Sequence, residues 1–196
     1  MIKEILLLGN ERLYQPSAEI RESELESLKQ TVVDLHDTLM DFRETYHAGR
    51  AVAAPQIGVH KRMIYMSVPA LSEPDGKSGT SACSLQKDSN PPHSDEQTLP
   101  EKQIVFINPV LSFPDEEKMD VMDDCMSFPG LLVKVERYKR CIIRYKDEHW
   151  QDCEMELEGD LSELLQHEYD HLDGILAVMR AKDQKSLFLK DAINQK

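Results

Sequence analysis

The stretch Gln166-His167-Glu168-Tyr169-Asp170-His171 contains two histidines four residues apart, with a glutamate directly after the first. On an α-helix, residues four apart lie one turn apart on the same face, so both imidazoles can reach one cation. Glu168 can then accept a proton from a water that the cation activates. The stretch therefore predicts a helix that carries a hydrolytic metal site. A solvated helix face that happens to hold two histidines is the alternative.

A third protein ligand of the usual kind cannot follow this stretch. Residues 172–196 contain no His, Cys or Glu, and Ala177 stands where a metzincin would have its third histidine, so that class is excluded. Upstream, Cys83 lies in a polar Ser- and Pro-rich stretch, while Cys141 and Cys153 lie in apolar alternation typical of strands. Cys125 lies in a turn-rich segment that could present a thiolate to a metal.

Three ordered motifs resemble those of the peptide deformylase family. They are residues 51–59 (AVAAPQIGV), 123–130 (DDCMSFPG) and 166–174 (QHEYDHLDG). The similarity extends to residues 2–6, to Arg12-Leu13 and to Ile107-Asn108-Pro109, so it covers nearly the whole chain outside one insertion. The resemblance implies a metal-dependent hydrolase that removes the N-formyl group from the N-terminal methionine of newly made polypeptides.

The resemblance also implies the role of each site residue. The metal ligands would be Cys125, His167 and His171, which leaves a fourth position open. Fe(II) is the usual metal of the family, and a thiolate with two imidazoles also suits Zn, Ni or Co. Glu168 would pass the proton to the departing amine, while the Gln56 amide and the backbone N–H of Met126 would donate to the developing oxyanion. Around these ligands, Asp123 would pair with Arg137 and so help to orient the cysteine.

Several departures from the family pattern lie in its substrate channel. Ala51 replaces a glycine, Arg50 an aliphatic residue, Asp124 a glycine, and Leu132 an arginine that contacts substrate in many bacterial members. The expected substrate-binding residues are Gly49, Arg50, Ala51, Asp124, Leu132 and Leu164. Asp124 tolerates a left-handed backbone better than most residues, so we expect the turn to survive. Selection among formyl peptides is expected to differ from that of other members.

Two acidic residues, Asp160 and Glu163, precede His167 at helical spacing. We expect Asp160 to cap the metal helix and Glu163 to complete a capping box, which would satisfy free backbone N–H groups. The alternative is that both acids face the substrate pocket and, together with Arg50, change which side chain fits there.

The remaining pattern predicts an α+β fold, in which antiparallel β-sheets surround the central metal-binding helix. A capping box at residues 23–26 precedes apolar residues spaced three and four apart, which predicts a long N-terminal amphipathic helix. Extended runs are expected at 59–68, 104–111, 131–145 and 153–157, with a hairpin turn at 146–151 and a helix at the C-terminus. The chain is expected to form one catalytic domain over residues 1–196.

A polar segment at about 70–102 is expected to be a flexible insertion between two strands. It interrupts the family pattern, and its simplest interpretation is a tolerated surface loop. The functional alternative is a lid or a partner-binding segment.

Composition limits the partners. The net charge of −13 argues against a direct nucleic-acid site, so a ribosome contact would have to be local, with Lys182, Lys185 and Lys190 as candidates. No apolar run approaches the roughly 20 residues that span a bilayer, and residues 1–20 do not show a basic region followed by an apolar stretch, so we expect a cytoplasmic protein with no membrane contact. The expected partner is an N-formylated nascent peptide.

Two other functions remain open at this point. One is a metallohydrolase of the same fold that acts on another N-acyl or peptide substrate, as the departures at Arg50, Ala51, Asp124 and Leu132 suggest. The other is a noncatalytic binding module that contains a metal. In such a module, replacing Glu168 by Gln would change no biochemical activity.

Overall fold

The computed structural model describes residues 1–69 and 101–193. In these ranges the strands are β1 (Ala51–Ala53), β2 (Met63–Pro69), β3 (Glu101–Ser112), β4 (Lys118–Asp124), β5 (Leu131–Tyr138), β6 (Arg140–Lys146), β7 (Asp152–Glu158) and β8 (Leu187–Leu189). The helices are α1 (Leu25–Tyr46), α2 (Asp160–Leu172) and α3 (Lys190–Ile193). Short 3-10 turns lie at Glu11–Tyr14, Glu22–Glu24, Ala54–Ile57 and Ala177–Arg180.

The strands form two antiparallel sheets. The larger has the order β1-β2-β3-β6-β7, and the smaller has the order β4-β5-β8. The single extended run expected at 131–145 is therefore wrong, because it is two strands in different sheets, β5 and β6, divided at Lys139. Strand β4 was not predicted either. Its charged residues alternate with Met119, Val121 and the buried Asp123, and this hides the apolar face that marks a strand.

Both faces of the larger sheet are covered by helices, because alternate residues of a strand point to opposite faces. From β2, Ile64 and Met66 join the core that contains Leu165 and Leu172 of α2. Met63 and Tyr65, which alternate with these two residues along the strand, join the core that contains Leu35 and Leu39 of α1. Burying one such side chain contributes about 1.5–3 kcal/mol, so the two cores hold both helices against the sheet.

Helix α1 begins at Leu25, two residues after Ser23, which was its expected N-cap. Glu24 accepts a hydrogen bond from the backbone N–H of Arg21 at 2.9 Å and no side chain caps the first turn of α1, so the box expected at residues 23–26 is wrong. The 3-10 turn Glu22–Glu24 places the side chain of Glu24, rather than that of Ser23, beside the free backbone N–H of Arg21. The helix ends at His47, which adopts a left-handed conformation (φ 52°).

Most of the expected insertion, residues 70–100, lies outside the described residues, and so does Cys83. Glu101 and Lys102 belong to β3, where they pair with the end of β2, so they are not part of a loop. At the other end of the chain, the described part of the expected C-terminal helix is the single turn α3. No helix in the described ranges is long and apolar enough to cross a membrane.

Candidate metal centre

Three metal-binding atoms converge beneath the larger sheet. Cys125 directly follows β4, whereas His167 and His171 lie one turn apart on α2. Nε2 of His171 lies 3.2 Å from Sγ of Cys125 and 3.2 Å from Nε2 of His167, and all three atoms lie within 4.8 Å of one another. Donors held at about 2.0–2.3 Å from one ion have comparable mutual spacings. All three side chains are buried, so the site excludes most of the solvent.

The electrostatics of these residues also fit a divalent cation. Burial alone would lower the pKa of His167, but the Asp123 carboxylate and the Cys125 thiolate raise it well above its usual value. Burial and the neighbouring His167 hold the pKa of His171 well below its usual value, which leaves a neutral imidazole. The site thus favours added positive charge and presents a neutral nitrogen to it. A thiolate and two imidazoles are the donors that borderline divalent metals prefer.

Glu168 follows the first histidine and lines the adjoining cavity. Its side chain is buried, and this burial raises its pKa to about 7, with the nearby charges of Asp123 and Glu163 acting in the same direction. Among the described residues, nothing hydrogen-bonds to its Oε2 atom. A carboxyl group that can gain and lose a proton near neutral pH therefore lies beside the three donors.

Gln56 is fixed by the 3-10 turn that follows β1. Its Oε1 accepts a hydrogen bond from the backbone N–H of Ala53 at 2.8 Å, which directs its Nε2 toward the thiolate. Nε2 lies 3.6 Å from Sγ of Cys125 and donates to Oγ of Ser127 at 3.2 Å. Gln56 therefore contacts the cysteine, and Met126, the residue after Cys125, lines the adjoining cavity, whose described lining does not include Gln56.

Known proteins match nearly the whole chain. A family model described as polypeptide deformylase matches residues 2–187. The chain belongs to this family. It is 32% identical over 191 residues to a peptide deformylase of Erythrobacter litoralis, which is 95% of this chain and 94% of the relative. It is 34% identical over 185 residues to peptide deformylase 1 of Prochlorococcus marinus, which is 94% of this chain and 83% of the relative.

A solved structure supports the same assignment. The Met-Ala-Ser-bound crystal structure of a class I type b peptide deformylase from Acinetobacter baumannii superposes with a TM-score of 0.70 at 26% identity, over 92% of this chain and 98% of that one. The family assignment made from the sequence motifs is therefore confirmed, as is the deformylase fold of antiparallel sheets with helices. The chain is a peptide deformylase, a metal-dependent enzyme that acts on N-formyl peptides.

In this deformylase, a buried chain of alternating charges supports the histidine. Oδ1 of Asp123 lies 2.6 Å from Nδ1 of His167, and Oδ2 of Asp123 accepts a hydrogen bond from Arg137 at 2.7 Å. Burial alone would raise the pKa of Asp123, but the charges and hydrogen bonds of His167 and Arg137 lower it to about 2. The expected Asp123–Arg137 pair is present, but the ligand that it contacts is the histidine rather than the cysteine.

The sequence reasoning missed the outer half of this chain. Arg137 also donates to Oδ2 of Asp170 at 2.5 Å, and Asp170 accepts two further hydrogen bonds from Arg180 at 2.5 and 2.6 Å. Asp170 lies three residues after His167 on α2, so its spacing was a usable signal for a shared helix face. Arg180 lies in a 3-10 turn, and nothing in its local sequence marks its partner.

A cavity of about 400 Å³ opens beside Glu168, and most of the expected substrate-binding residues line it. Gly49, Arg50, Ala51, Asp124 and Leu164 line it. Leu132 lies outside its described lining, in β5 opposite Asp124 of β4 and Phe188 of β8. We expected Asp124 to adopt a left-handed conformation in a turn, but it is the last residue of strand β4 and has an extended backbone. Its carboxylate pairs with Nζ of Lys190 at 2.7 Å.

The expected capping box at the start of α2 is wrong. The residue before the helix is Gly159 (φ 59°), and no side chain caps the first turn. Asp160 instead hydrogen-bonds to Nη1 of Arg50, and Glu163 lies 3.5 Å from Nη2 of the same guanidinium. Glu163 lines the cavity, and its burial, reinforced by the charge of Asp123, raises its pKa to about 7. A charged pair therefore forms part of the cavity wall.

Proposed function

We propose that this deformylase removes the N-formyl group from the N-terminal methionine of newly made polypeptides with Cys125, His167, His171 and Glu168 as its central residues. The observation that carries the proposal is the convergence of one cysteine and two histidines beside a buried carboxyl group, with a cavity next to them that Cys125, His167 and Glu168 line. In this proposal α2 is the catalytic helix at the centre of a single catalytic domain.

We assign the metal to the three converging donors. When bound there, a divalent ion supplies Lewis acidity, which polarises the formyl carbonyl and makes a water more acidic. Fe(II) is the proposed ion, and Zn, Ni or Co would satisfy the same donor set. The charge chain from Asp123 to Arg180 holds the ring of His167 in place and favours the orientation that presents Nε2 to the ion.

Glu168 transfers the proton in the proposed reaction. Its carboxylate accepts a proton from the attacking water, and its carboxylic acid then delivers that proton to the amine as the C–N bond of the formamide breaks and formate departs. The pKa of about 7 suits both steps, because a group near neutrality can accept and donate a proton at working pH. The negative charge that develops on the formyl oxygen accepts hydrogen bonds from Nε2 of Gln56 and the backbone N–H of Met126.

The substrate also defines where the enzyme acts. N-formylated nascent peptides are present where proteins are made, so we propose a cytoplasmic location. A local ribosome contact remains a proposal for Lys182, Lys185 and Lys190. Two of these lysines already pair with carboxylates, Lys182 with Asp120 and Lys190 with Asp124.

The function is tested by formate release from formyl-Met-Ala-Ser with protein loaded with Fe(II) in the absence of oxygen. Glu168→Gln keeps the size of the side chain but removes its ability to carry the proton, so we expect kcat to fall by at least about 100-fold. The matched control is Glu154→Gln, which changes an exposed carboxylate on β7 that pairs with Arg144.

The metal content of each variant is measured in the same samples, since an unchanged content assigns the loss to proton transfer. Formate release that is equal in wild type and Glu168→Gln would contradict the assigned role of Glu168. No release from formyl-Met peptides by fully loaded wild-type protein, with release from N-acetyl peptides, would identify a different N-acyl substrate. No release from either would favour a binding module.

A further inference from the structure

The cavity beside Glu168 has two ionisable side chains in one part of its wall. Glu163 and Arg50 both line it, next to Leu164 and His167. The side chain of Glu163 is only 13% exposed, so its carboxylate is largely removed from bulk water. The hydrogen-bond partners of this carboxylate therefore matter for stability, because burying a carboxylate without donors costs free energy.

Glu163 lacks the donors that a buried carboxylate needs. Within residues 1–69 and 101–193, its closest charged partner is Nη2 of Arg50 at 3.5 Å, which is too long for a good hydrogen bond, and no hydrogen bond to its carboxylate is found there. Nη1 of the same guanidinium is already used by Asp160, which is largely exposed. The carboxylate of Glu163 therefore faces the cavity as an acceptor with unused capacity.

The position of Glu163 matches the reach of a peptide's first side chain. Glu163 precedes His167 by four residues on α2, which places their Cβ atoms about 6 Å apart on one helix face. A formyl group held beside His167 and Glu168 is joined through one nitrogen to the first Cα. A side chain of four or five atoms extends about 5–6 Å from that Cα, since each bond adds little more than 1 Å of reach. A side chain of this length that points toward the start of α2 is therefore long enough to reach Glu163.

We propose that Glu163, steadied by Arg50, extends the specificity of the enzyme from formyl-methionine to N-formyl peptides whose first side chain ends in an N–H donor, lysine above all. This inference rests on the proposed deformylase function. A lysine ammonium would give the carboxylate a charge-assisted hydrogen bond, whereas the methionine thioether gives it none. The apolar stem of lysine would pack along Leu164, as a methionine side chain would.

The test compares kcat/KM for formyl-Lys-Ala-Ser and formyl-Met-Ala-Ser. Replacing Glu163 by Leu is expected to lower the Lys-to-Met ratio at least tenfold, since a hydrogen bond to a charged group changes affinity by about 10- to 100-fold. Glu163→Gln, which keeps the shape but not the charge, should give an intermediate ratio. Glu154→Leu, on the exposed face of β7, should leave the ratio at the wild-type value. A change of less than tenfold in Glu163→Leu overturns the proposal.

A binding measurement tests the same pocket without turnover. Dissociation constants of the unformylated peptides Lys-Ala-Ser and Met-Ala-Ser are measured by calorimetry, with the Glu163→Leu substitution present or absent. The Lys-to-Met preference should fall at least tenfold here too, and an unchanged preference overturns the inference.

The two proposals can fail separately. Formate release from formyl-Met peptides that depends on Glu168 would support the deformylase function. If the Lys-to-Met ratio were then the same with and without Glu163, this inference alone would fail. If neither peptide releases formate, the proposed function fails, and the calorimetric preference alone decides whether Glu163 reads the first side chain.

Discussion

Replacing Arg137 by Met is expected to weaken both the fold and the metal site. Arg137 is 3% exposed, and its two nitrogens donate to Asp123 and Asp170 at 2.7 and 2.5 Å. Removing one partner of a buried ion pair costs about 3–5 kcal/mol, because the other charge is left without compensation. Asp170 would keep both hydrogen bonds from Arg180, and Asp123 would keep the opposite charge of His167 nearby, so neither carboxylate loses all of its compensation. We therefore expect the lower end of this range, about 3 kcal/mol.

Urea unfolding of chelator-treated protein at pH 7 measures this loss, and competition with a chromophoric chelator measures metal affinity. Because Asp123 would no longer be held against His167, metal affinity should fall about 10- to 100-fold. Arg180→Met is the matched control. Arg180 is 43% exposed and its loss leaves Asp170 paired with Arg137, so about 1 kcal/mol is expected. Equal losses in the two variants, or a loss below about 1 kcal/mol for Arg137→Met, would refute the argument.

Two further predictions concern regions away from the metal. Burial would raise the pKa of Asp34, but hydrogen bonds from neighbouring donors, among them Lys3, lower it to about 2. Since this folded value lies below the unfolded one of about 3.9, the stabilisation is present above pH 4 and is lost as pH falls toward 2. Asp34→Asn should cost about 1 kcal/mol at pH 7 in urea unfolding, with a smaller difference at pH 3; a cost independent of pH would contradict it. Gly174 has φ +72°, and a Cβ there would lie 2.5 Å from the backbone oxygen of Tyr14. Gly174→Ala should therefore cost at least about 2 kcal/mol in thermal unfolding, against about 1 for Gly9→Ala, which has open space around it; equal shifts would exclude the clash.

The two histidines and the glutamate of the proposed metal site could be placed together from the sequence, because their signals are local. His167, Glu168 and His171 lie within five residues, and helical geometry alone brings the two rings together. Cys125 lies 46 residues from His171, and residue chemistry alone left four cysteines as candidates. Its turn-rich setting favoured it over the other three, and the ordered family motifs then identified it.

The wrong prediction at the start of α2 has one physical cause, which is competition from a residue distant in sequence. Asp160 has the chemistry and position of a helix cap, but it bonds to Arg50, which is 110 residues away. A charged guanidinium is a stronger partner for a carboxylate than a neutral backbone N–H, so the tertiary contact prevails over the cap. Local propensity cannot report a partner that the fold brings in from another element.

Strand assignment failed where a run of strand-forming residues changes sheets. The pattern from 131 to 145 is uniformly extended, and it has no Gly or Pro to mark Lys139 as the division. Which sheet a strand joins depends on its pairing partners. Here β5 pairs with β4 and β8, while β6 pairs with β3 and β7. Those pairings involve residues far apart in the chain, which period-two alternation does not encode.

The separate origins of the three proposed ligands would make a bound ion a removable cross-link. Cys125 comes from the end of β4 in the smaller sheet, and the histidines come from the helix packed on the larger one. An ion bound to Cys125 and His171 closes a loop of 46 residues. If it restrains the unfolded chain as a disulfide of that span does, it contributes about 4 kcal/mol of loop-closure entropy. Removing the ion with a chelator should then weaken the contact between the two sheets first. The rate of amide hydrogen exchange should therefore rise in β4 before it rises in β2.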